Sequence, residues 1–162
     1  MALPPWLPLI ALVVAAGAGH LAVGSPNSVP AIRSVQLSGT SSGVALTGTF
    51  RLCAMMHQPN CVVDGDTIRY GGVRIRLADI DAPEISDPKC ASEAALGDRA
   101  TQRLLQLLNA GPFQIVRAGG RDEDKYGRKL RIIVRDGRSV ADALVSEGLA
   151  RRWDGARRSW CA

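Results

Sequence analysis

The chain has 162 residues and is basic, with 20 Lys+Arg against 15 Asp+Glu and a formal net charge of +5. Every charged side chain lies after Gly24, and the remainder is about one quarter charged, as in ordinary soluble domains. This excludes a disordered, collagen-like or multi-span membrane chain. The length suits one folded domain that buries roughly two thirds of its unfolded surface, so a bound metal would serve function rather than folding.

Residues 2–24 carry no charge, and residues 9–18 form a continuous apolar run suited to a signal-peptide core or a membrane anchor. Ala22-Val23-Gly24 offers a small-x-small cleavage pattern, although no basic residue precedes the run. The leader therefore predicts export to a periplasmic or extracellular location, either cleaved or retained as a tether. Residues 25–49 are rich in Ser, Gly, Thr, Val and Ala with only Arg33 charged, which predicts a flexible linker before a domain spanning 50–162.

From residue 50 onward, β-like runs cover 50–53, 61–70, 73–80, 113–117 and 130–134, with Gly71-Gly72 as a hairpin turn. Residues 91–108 place Leu96, Ala100, Leu104, Leu107 and Leu108 on one helical face, and Asn109-Ala110-Gly111-Pro112 ends that helix. A second helix is expected from Ser139, capped by Ser139 and Asp142 and ended by Gly148. Strands with two helices and no βαβ alternation predict an α+β fold, a small barrel of the oligonucleotide-binding kind packed by helices.

Only His57 remains outside the leader, so a three-histidine zinc centre is excluded. The four cysteines contain no C-x-x-C pair, which argues against zinc ribbons and thioredoxin chemistry. Their even number suits two disulfides. Proximity in sequence favours Cys53 with Cys61, leaving Cys90 with Cys161, but three connectivities stay open.

The densest polar constellation is Asp64-Gly65-Asp66-Thr67 followed by Arg74, Arg76, Asp79, Asp81 and Glu84. Strand alternation puts Asp64 with Asp66 on one face, and Arg74 with Arg76 opposite Val73, Ile75 and Leu77. Hard carboxylate oxygens bind Ca²⁺ or Mg²⁺, and a cation beside arginines neutralises a phosphate ester as charge builds on it. The segment is not an EF-hand, since position 12 falls on Ile75 where a bidentate Glu is needed. A second charged stretch, residues 122–129, offers Arg128 as another phosphate donor, although composition alone does not bring it near Arg76.

Asp64-Gly65-Asp66-Thr67, the run from Arg76 to Asp81, Ala82-Pro83-Glu84, Lys125-Tyr126-Gly127-Arg128, and Ala143-Leu144-Val145 with Gly148-Leu149-Ala150 occur in order with compatible gaps. Together they resemble the staphylococcal nuclease (thermonuclease) family, from about Val62 to Ala150, in a short form that lacks the long third helix. The resemblance implies a five-stranded oligonucleotide-binding barrel with helices. It implies a calcium-dependent endonuclease that hydrolyses DNA and RNA at the 5′ P–O bond and leaves 3′-phosphate ends. Ca²⁺ would be held by Asp66, Asp81 and the backbone carbonyl of Ala82, with Asp64 in the outer shell. Glu84 would activate water, Arg76 and Arg128 would stabilise the phosphate, and Lys125 and Tyr126 would contact a terminal phosphate of the nucleotide. The residue pattern alone does not prefer Arg76 over Arg74.

The substrate partner implied is single-stranded DNA or RNA, since a barrel groove follows an unpaired backbone more readily than a stiff duplex. No protein partner is implied. Two departures stand out: the family's base-stacking tyrosines fall on Asp154 and Ala156, with Trp153 or Trp160 as replacements, and a basic tail, Arg157-Arg158-Ser159-Trp160-Cys161-Ala162, follows. A Cys90–Cys161 bridge would pin that tail beside the site. The alternative function is a catalytically inactive nucleic-acid-binding barrel, which would be expected to lack the glutamate or an arginine. Asp66, Arg76, Asp81, Glu84 and Arg128 are all present.

Overall fold

A computed structural model describes residues 44–54 and 58–161. The leader, residues 25–43 of the expected linker and His57 lie outside the described residues. Among those described, no helix is long and apolar enough to cross a membrane.

The strands are β1 (Arg51–Leu52), β2 (Cys61–Asp64), β3 (Thr67–Tyr70), β4 (Val73–Leu77), β5 (Ile80–Asp81), β6 (Gln114–Arg117), β7 (Lys129–Arg135), β8 (Arg138–Ser139) and β9 (Arg151–Arg152). Helix α1 (Ala91–Asn109) follows β5, and α2 (Ala141–Ser146) follows β8. The main sheet runs β1-β2-β3-β4-β7-β6, with β8 on β7, while β5 and β9 form a separate antiparallel pair. Strands β2, β3 and β4 form an antiparallel meander, β4 meets β7 in parallel, and β6 returns antiparallel to β7. Leu46 and Phe113 exchange backbone hydrogen bonds of 2.7 and 3.0 Å, joining the segment ahead of β1 to the start of β6 at the far edge. The order of the five longer strands and this bridging contact give the expected α+β oligonucleotide-binding architecture.

Two of the expected strands divide. Residues 61–70 are a hairpin, because the Asp66 N–H donates to Asp64 Oδ1 at 3.0 Å and turns the chain between β2 and β3. Asp64 and Asp66 therefore flank a turn instead of sharing one strand face. Residues 73–80 break after Leu77, and β5 leaves the main sheet to pair with β9. Alternation along β4 holds where Ile75 and Leu77 enter the core and Arg74 and Arg76 line the opposite surface, while Val73 at the start of the strand stays exposed.

Val62, Ile68, Ile75, Leu77, Ile80, Leu104, Leu108, Phe113, Ile133 and Leu144 fill the core. At one end Phe50 stacks on Tyr70, and both rings contact Phe113. The Asn109 side chain ties the end of α1 to this region, accepting from Phe50 N–H at 2.8 Å and donating to the Phe50 carbonyl at 3.1 Å.

The buried stripe of α1 is Glu93, Gly97, Ala100, Thr101, Leu104 and Leu108, while Leu96 and Leu107 are only partly buried. The helix approaches through its small residues. A Cβ on Gly97 would lie 2.7 Å from Ile85 Cγ2, 2.9 Å from the Pro83 carbonyl oxygen and 3.0 Å from that of Glu84. Gly97→Ala gains helix propensity worth about 1 kcal/mol, but it pushes on backbone that has little room to yield. The expected net result is a loss of about 1–2 kcal/mol by denaturant unfolding, with catalysis by any group on the 83–85 segment falling alongside.

The second helix begins at Ala141, two residues later than expected, and the Ser139–Asp142 cap does not form. Ser139 instead belongs to β8, where its hydroxyl donates to Asp79 Oδ2 and accepts from the Ala141 N–H. Asp142 is drawn to Arg152. The four described cysteines form two disulfides, Cys53–Cys61 and Cys90–Cys161.

Candidate active site

A groove of about 910 Å³ opens on the face of β4 away from the core. Asp64 reaches it from the end of β2, Arg74 and Arg76 from β4, Glu84 from the segment after β5, and Lys125, Tyr126 and Arg128 from the turn before β7. Asp66 and Asp81 do not line the groove; they lie behind Arg76, both buried. Asp79, grouped with them in the sequence, turns away to Ser139 and Arg152.

Arg76 is the hub, and its choice over Arg74 is set by burial. It is 7% exposed, forms an ion pair with Asp66, lies 3.6 Å from Asp81 and donates to the Ile80 carbonyl at 3.2 Å. Burial lowers its pKa, with the positive charges of Arg128 and Arg157 acting in the same direction. Burial raises the pKa of Asp64, and the charge of Glu84 adds to that rise. Asp81 Oδ1 is buried with no hydrogen-bond partner among the described residues, although the Arg157 guanidinium lies 3.7 Å away. Asp66 Oδ2 accepts the Ala82 N–H at 3.1 Å, which fixes the start of the Ala82–Glu84 segment against the β2–β3 turn.

The Thr67 hydroxyl links the two arginines' surroundings: it donates to Asp66 Oδ1 at 3.0 Å and accepts from Arg128 Nη1 at 3.2 Å. Asp124 orders the turn that carries Arg128. One of its oxygens accepts the Tyr126 and Arg128 N–H groups, and the other accepts Arg128 Nε at 2.6 Å. Burial opposes ionisation of Asp124, but these bonds outweigh it and its pKa falls below the usual carboxylate range. Gly127, at φ 73°, closes the turn in a conformation that a side chain disfavours. At its outer base Asp122 is held by Lys129 and Arg131, which lower its pKa to about 2.

Glu84 is positioned from both sides. Its N–H donates to Glu93 Oε1 at 3.4 Å, and the other Glu93 oxygen accepts the Lys89 N–H at 2.7 Å. Glu93 is buried on the first turn of α1. The Glu84 carboxylate in turn receives Arg157 Nη1.

Trp153, 41% exposed, lines the groove with its ring 5.9 Å from the Arg76 guanidinium. Trp160 lies instead over Asp81, donating to Oδ2 at 3.3 Å, with Arg151 stacked 3.7 Å from its ring. Asp154 and Ala156 stay outside the groove, where Asp154 pairs with Arg158. Sequence reasoning placed the tail beside the site but assigned no role to Arg157, and it passed over Glu93 as a support for Glu84. The Cys90–Cys161 pairing was the available signal for Arg157. A lone acidic residue on an apolar helix stripe was the signal for Glu93.

Three carboxylates, one of them with an unpartnered buried oxygen, thus surround a buried arginine beneath a basic groove. Such a set can hold a hard divalent cation and a phosphate together. A family model described as Staphylococcal nuclease homologue matches residues 74–159. The chain is 39% identical over 93 residues to endonuclease YncB of Bacillus subtilis (strain 168), covering 55% of this chain and 44% of that protein. It is 41% identical over 93 residues to the SPbeta prophage-derived endonuclease YokF of the same organism, covering 31% of that protein. With the micrococcal nuclease of Shigella flexneri it shares 40% identity over 76 residues, covering 44% of this chain and 38% of that protein. The chain spans less than half the length of these curated relatives. With the family model matching more than half of its residues, the chain belongs to the staphylococcal nuclease family.

Proposed function

We propose that this chain is a calcium-dependent nuclease that hydrolyses phosphodiester bonds of single-stranded DNA or RNA at the 5′ P–O bond, leaving 3′-phosphate ends. The observation that carries this reading is the convergence of Glu84, Arg76 and Arg128 on one groove, directly above Asp66 and Asp81. The endonuclease and nuclease names of its relatives support the same reaction class.

The residues fit the ion. Asp81 Oδ1 is buried without a hydrogen-bond partner among the described residues, and Asp64 reaches the groove as a third carboxylate near it. Asp66, Asp81 and the Ala82 carbonyl would hold Ca²⁺, with Asp64 in the outer shell. When bound, the ion supplies Lewis-acid polarisation of a phosphoryl oxygen.

The chain's own residues do the rest. Arg76 and Arg128 present planar guanidinium forks that bind the phosphate and gain strength as negative charge builds on its oxygens. Glu84 accepts a proton from the attacking water; its Oε1 is taken by Arg157, which leaves Oε2 for that water. Lys125 and Tyr126 hold a neighbouring terminal phosphate at the mouth of the groove, and the exposed Trp153 ring offers a face on which a base stacks.

Two disulfides suit an oxidising compartment, which supports export through the leader to a periplasmic or extracellular location, either cleaved or tethered.

The test is digestion of a single-stranded DNA oligonucleotide with added Ca²⁺ and with chelator. Cleavage with Ca²⁺ and its loss in chelator is the expected result. The ion should also raise the thermal midpoint, since at 100 times its Kd it contributes about 2.7 kcal/mol of stability. A protein that binds the oligonucleotide but leaves it intact with every divalent ion tried would favour the inactive binding module.

A further inference from the structure

The last described residues bring Arg157 into the groove beside Arg76 and Arg128. Arg157 lies 73 residues from Glu84 in sequence, yet its Nη1 bonds the Glu84 carboxylate and its Nε lies 3.7 Å from Asp81 Oδ1. It lines the same groove as Arg76 and Arg128, with its side chain 49% exposed.

The tail is fastened on both sides of this residue. Before it, the Trp153 N–H donates to the Asp79 carbonyl at 3.0 Å. After it, Arg151 Nη1 donates to the Ser159 carbonyl at 3.0 Å, Trp160 bonds Asp81, and Cys161 is joined to Cys90. Cys90 is the N-cap of α1, and three residues further on Glu93 holds the Glu84 N–H. The disulfide therefore ties the segment carrying Arg157 to the helix turn that positions Glu84.

Resting on the nuclease reading above, we propose that Arg157 is a catalytic residue: a third guanidinium for the scissile phosphate, presented to the groove by the Cys90–Cys161 disulfide. The charges support it. Asp64 and Glu84 line the groove and Asp66 and Asp81 lie buried behind Arg76, while Arg76 and Arg128 are already engaged with Asp66 and Asp124. A guanidinium has five N–H donors, and the bond to Glu84 Oε1 uses one of them, so the same group can steady the general base and donate to a phosphate oxygen. A buried arginine serving only to pack the tail would not be half exposed toward the groove.

The experiment compares the full chain with Arg157→Ala and Arg157→Lys in steady-state cleavage of a single-stranded DNA oligonucleotide, with thermal midpoints as the folding control. Arg157→Ala is expected to lower kcat by roughly 10- to 100-fold, below the 10²–10³ typical of a principal oxyanion donor, with a smaller change in KM. In a Glu84→Gln background, removing Arg157 should reduce the slope of log affinity against log salt by about 0.7, the share of one phosphate contact on a single strand. Lys at this position keeps the salt slope but not kcat, because a point charge replaces a planar fork. The Cys90→Ser/Cys161→Ser double variant should reproduce the kcat loss of Arg157→Ala, and adding Arg157→Ala to it should cost nothing more.

Parental kcat in Arg157→Ala would overturn the catalytic role. Independent, multiplying losses from Arg157→Ala and the cysteine pair would overturn the role of the disulfide. A parent chain that binds the oligonucleotide without cutting it would overturn the nuclease reading itself, and Arg157's catalytic role with it.

Discussion

Glu84→Gln is expected to lower kcat for phosphodiester cleavage by about 10²–10⁴-fold, the range for removing a general base, while the fold survives. The amide keeps the size of the side chain, and its carbonyl still accepts from Arg157 Nη1. It cannot take the proton of the attacking water. The position is held mainly through the backbone, by the Glu84 N–H on Glu93 and by the contact of Gly97 with the carbonyls of Pro83 and Glu84. The thermal midpoint should therefore stay close to that of the parent, and KM should change little. A Glu84→Gln protein that cleaves at the parental rate would show that another group activates the water.

Arg76→Ala is expected to damage stability and catalysis together. Its side chain is 8% exposed and Asp66 and Asp81 are each 6% exposed, so truncation leaves two buried carboxylates without the guanidinium they share. Breaking a buried pair in this way costs about 3–5 kcal/mol, to be measured by denaturant unfolding in chelator. Loss of a donor to the developing phosphate charge should lower kcat by a further factor of about 10²–10³. The two effects separate on adding Ca²⁺, because a cation between the carboxylates replaces the missing charge. Calcium should therefore stabilise Arg76→Ala by more than it stabilises the parent, without restoring kcat. Equal stabilisation of the two proteins would contradict the placement of the ion at Asp66 and Asp81. Arg74→Ala, at a position on the same face but away from these carboxylates, should be near neutral for stability.

The contrast between Arg74 and Arg76 shows how far the sequence reaches. Two-residue alternation in β4 puts both on the groove side, and that much is legible from Val73 to Leu77 alone. What singles out Arg76 is the arrival of Asp66 from a turn and Asp81 from a different sheet. Both depend on where the chain breaks its strands, at the Asx turn after Asp64 and after Leu77. Propensity marks only the first break, where Asp64-Gly65-Asp66 is turn-forming; the second is set by tertiary partners, with the Ala78 N–H on the Arg131 carbonyl and Asp79 turned to Ser139 and Arg152. Helix α1 shows the same limit. Counting apolar residues favours a stripe through Leu96, Ala100, Leu104, Leu107 and Leu108; Ala100, Leu104 and Leu108 are buried as expected, but the close approach of the 83–85 segment selects Gly97 and leaves Leu96 and Leu107 partly buried. The Ser139–Asp142 pair had the right spacing for a cap and lost to tertiary partners, Asp79 and Arg152. Arg157 was the least legible of the site residues, since long-range ties, a disulfide closing 71 residues of sequence and Trp160 on Asp81 among them, bring it to Glu84.

The most direct test of the central claim, that Glu84-activated water attacks phosphorus and expels the 5′ oxygen, is a single-turnover cleavage carried out in ¹⁸O-labelled water with Ca²⁺ present. One labelled oxygen on a 3′-phosphate end and none on the 5′-hydroxyl is the expected result. Label on a 5′-phosphate, or a 3′-phosphate end free of label, would contradict it.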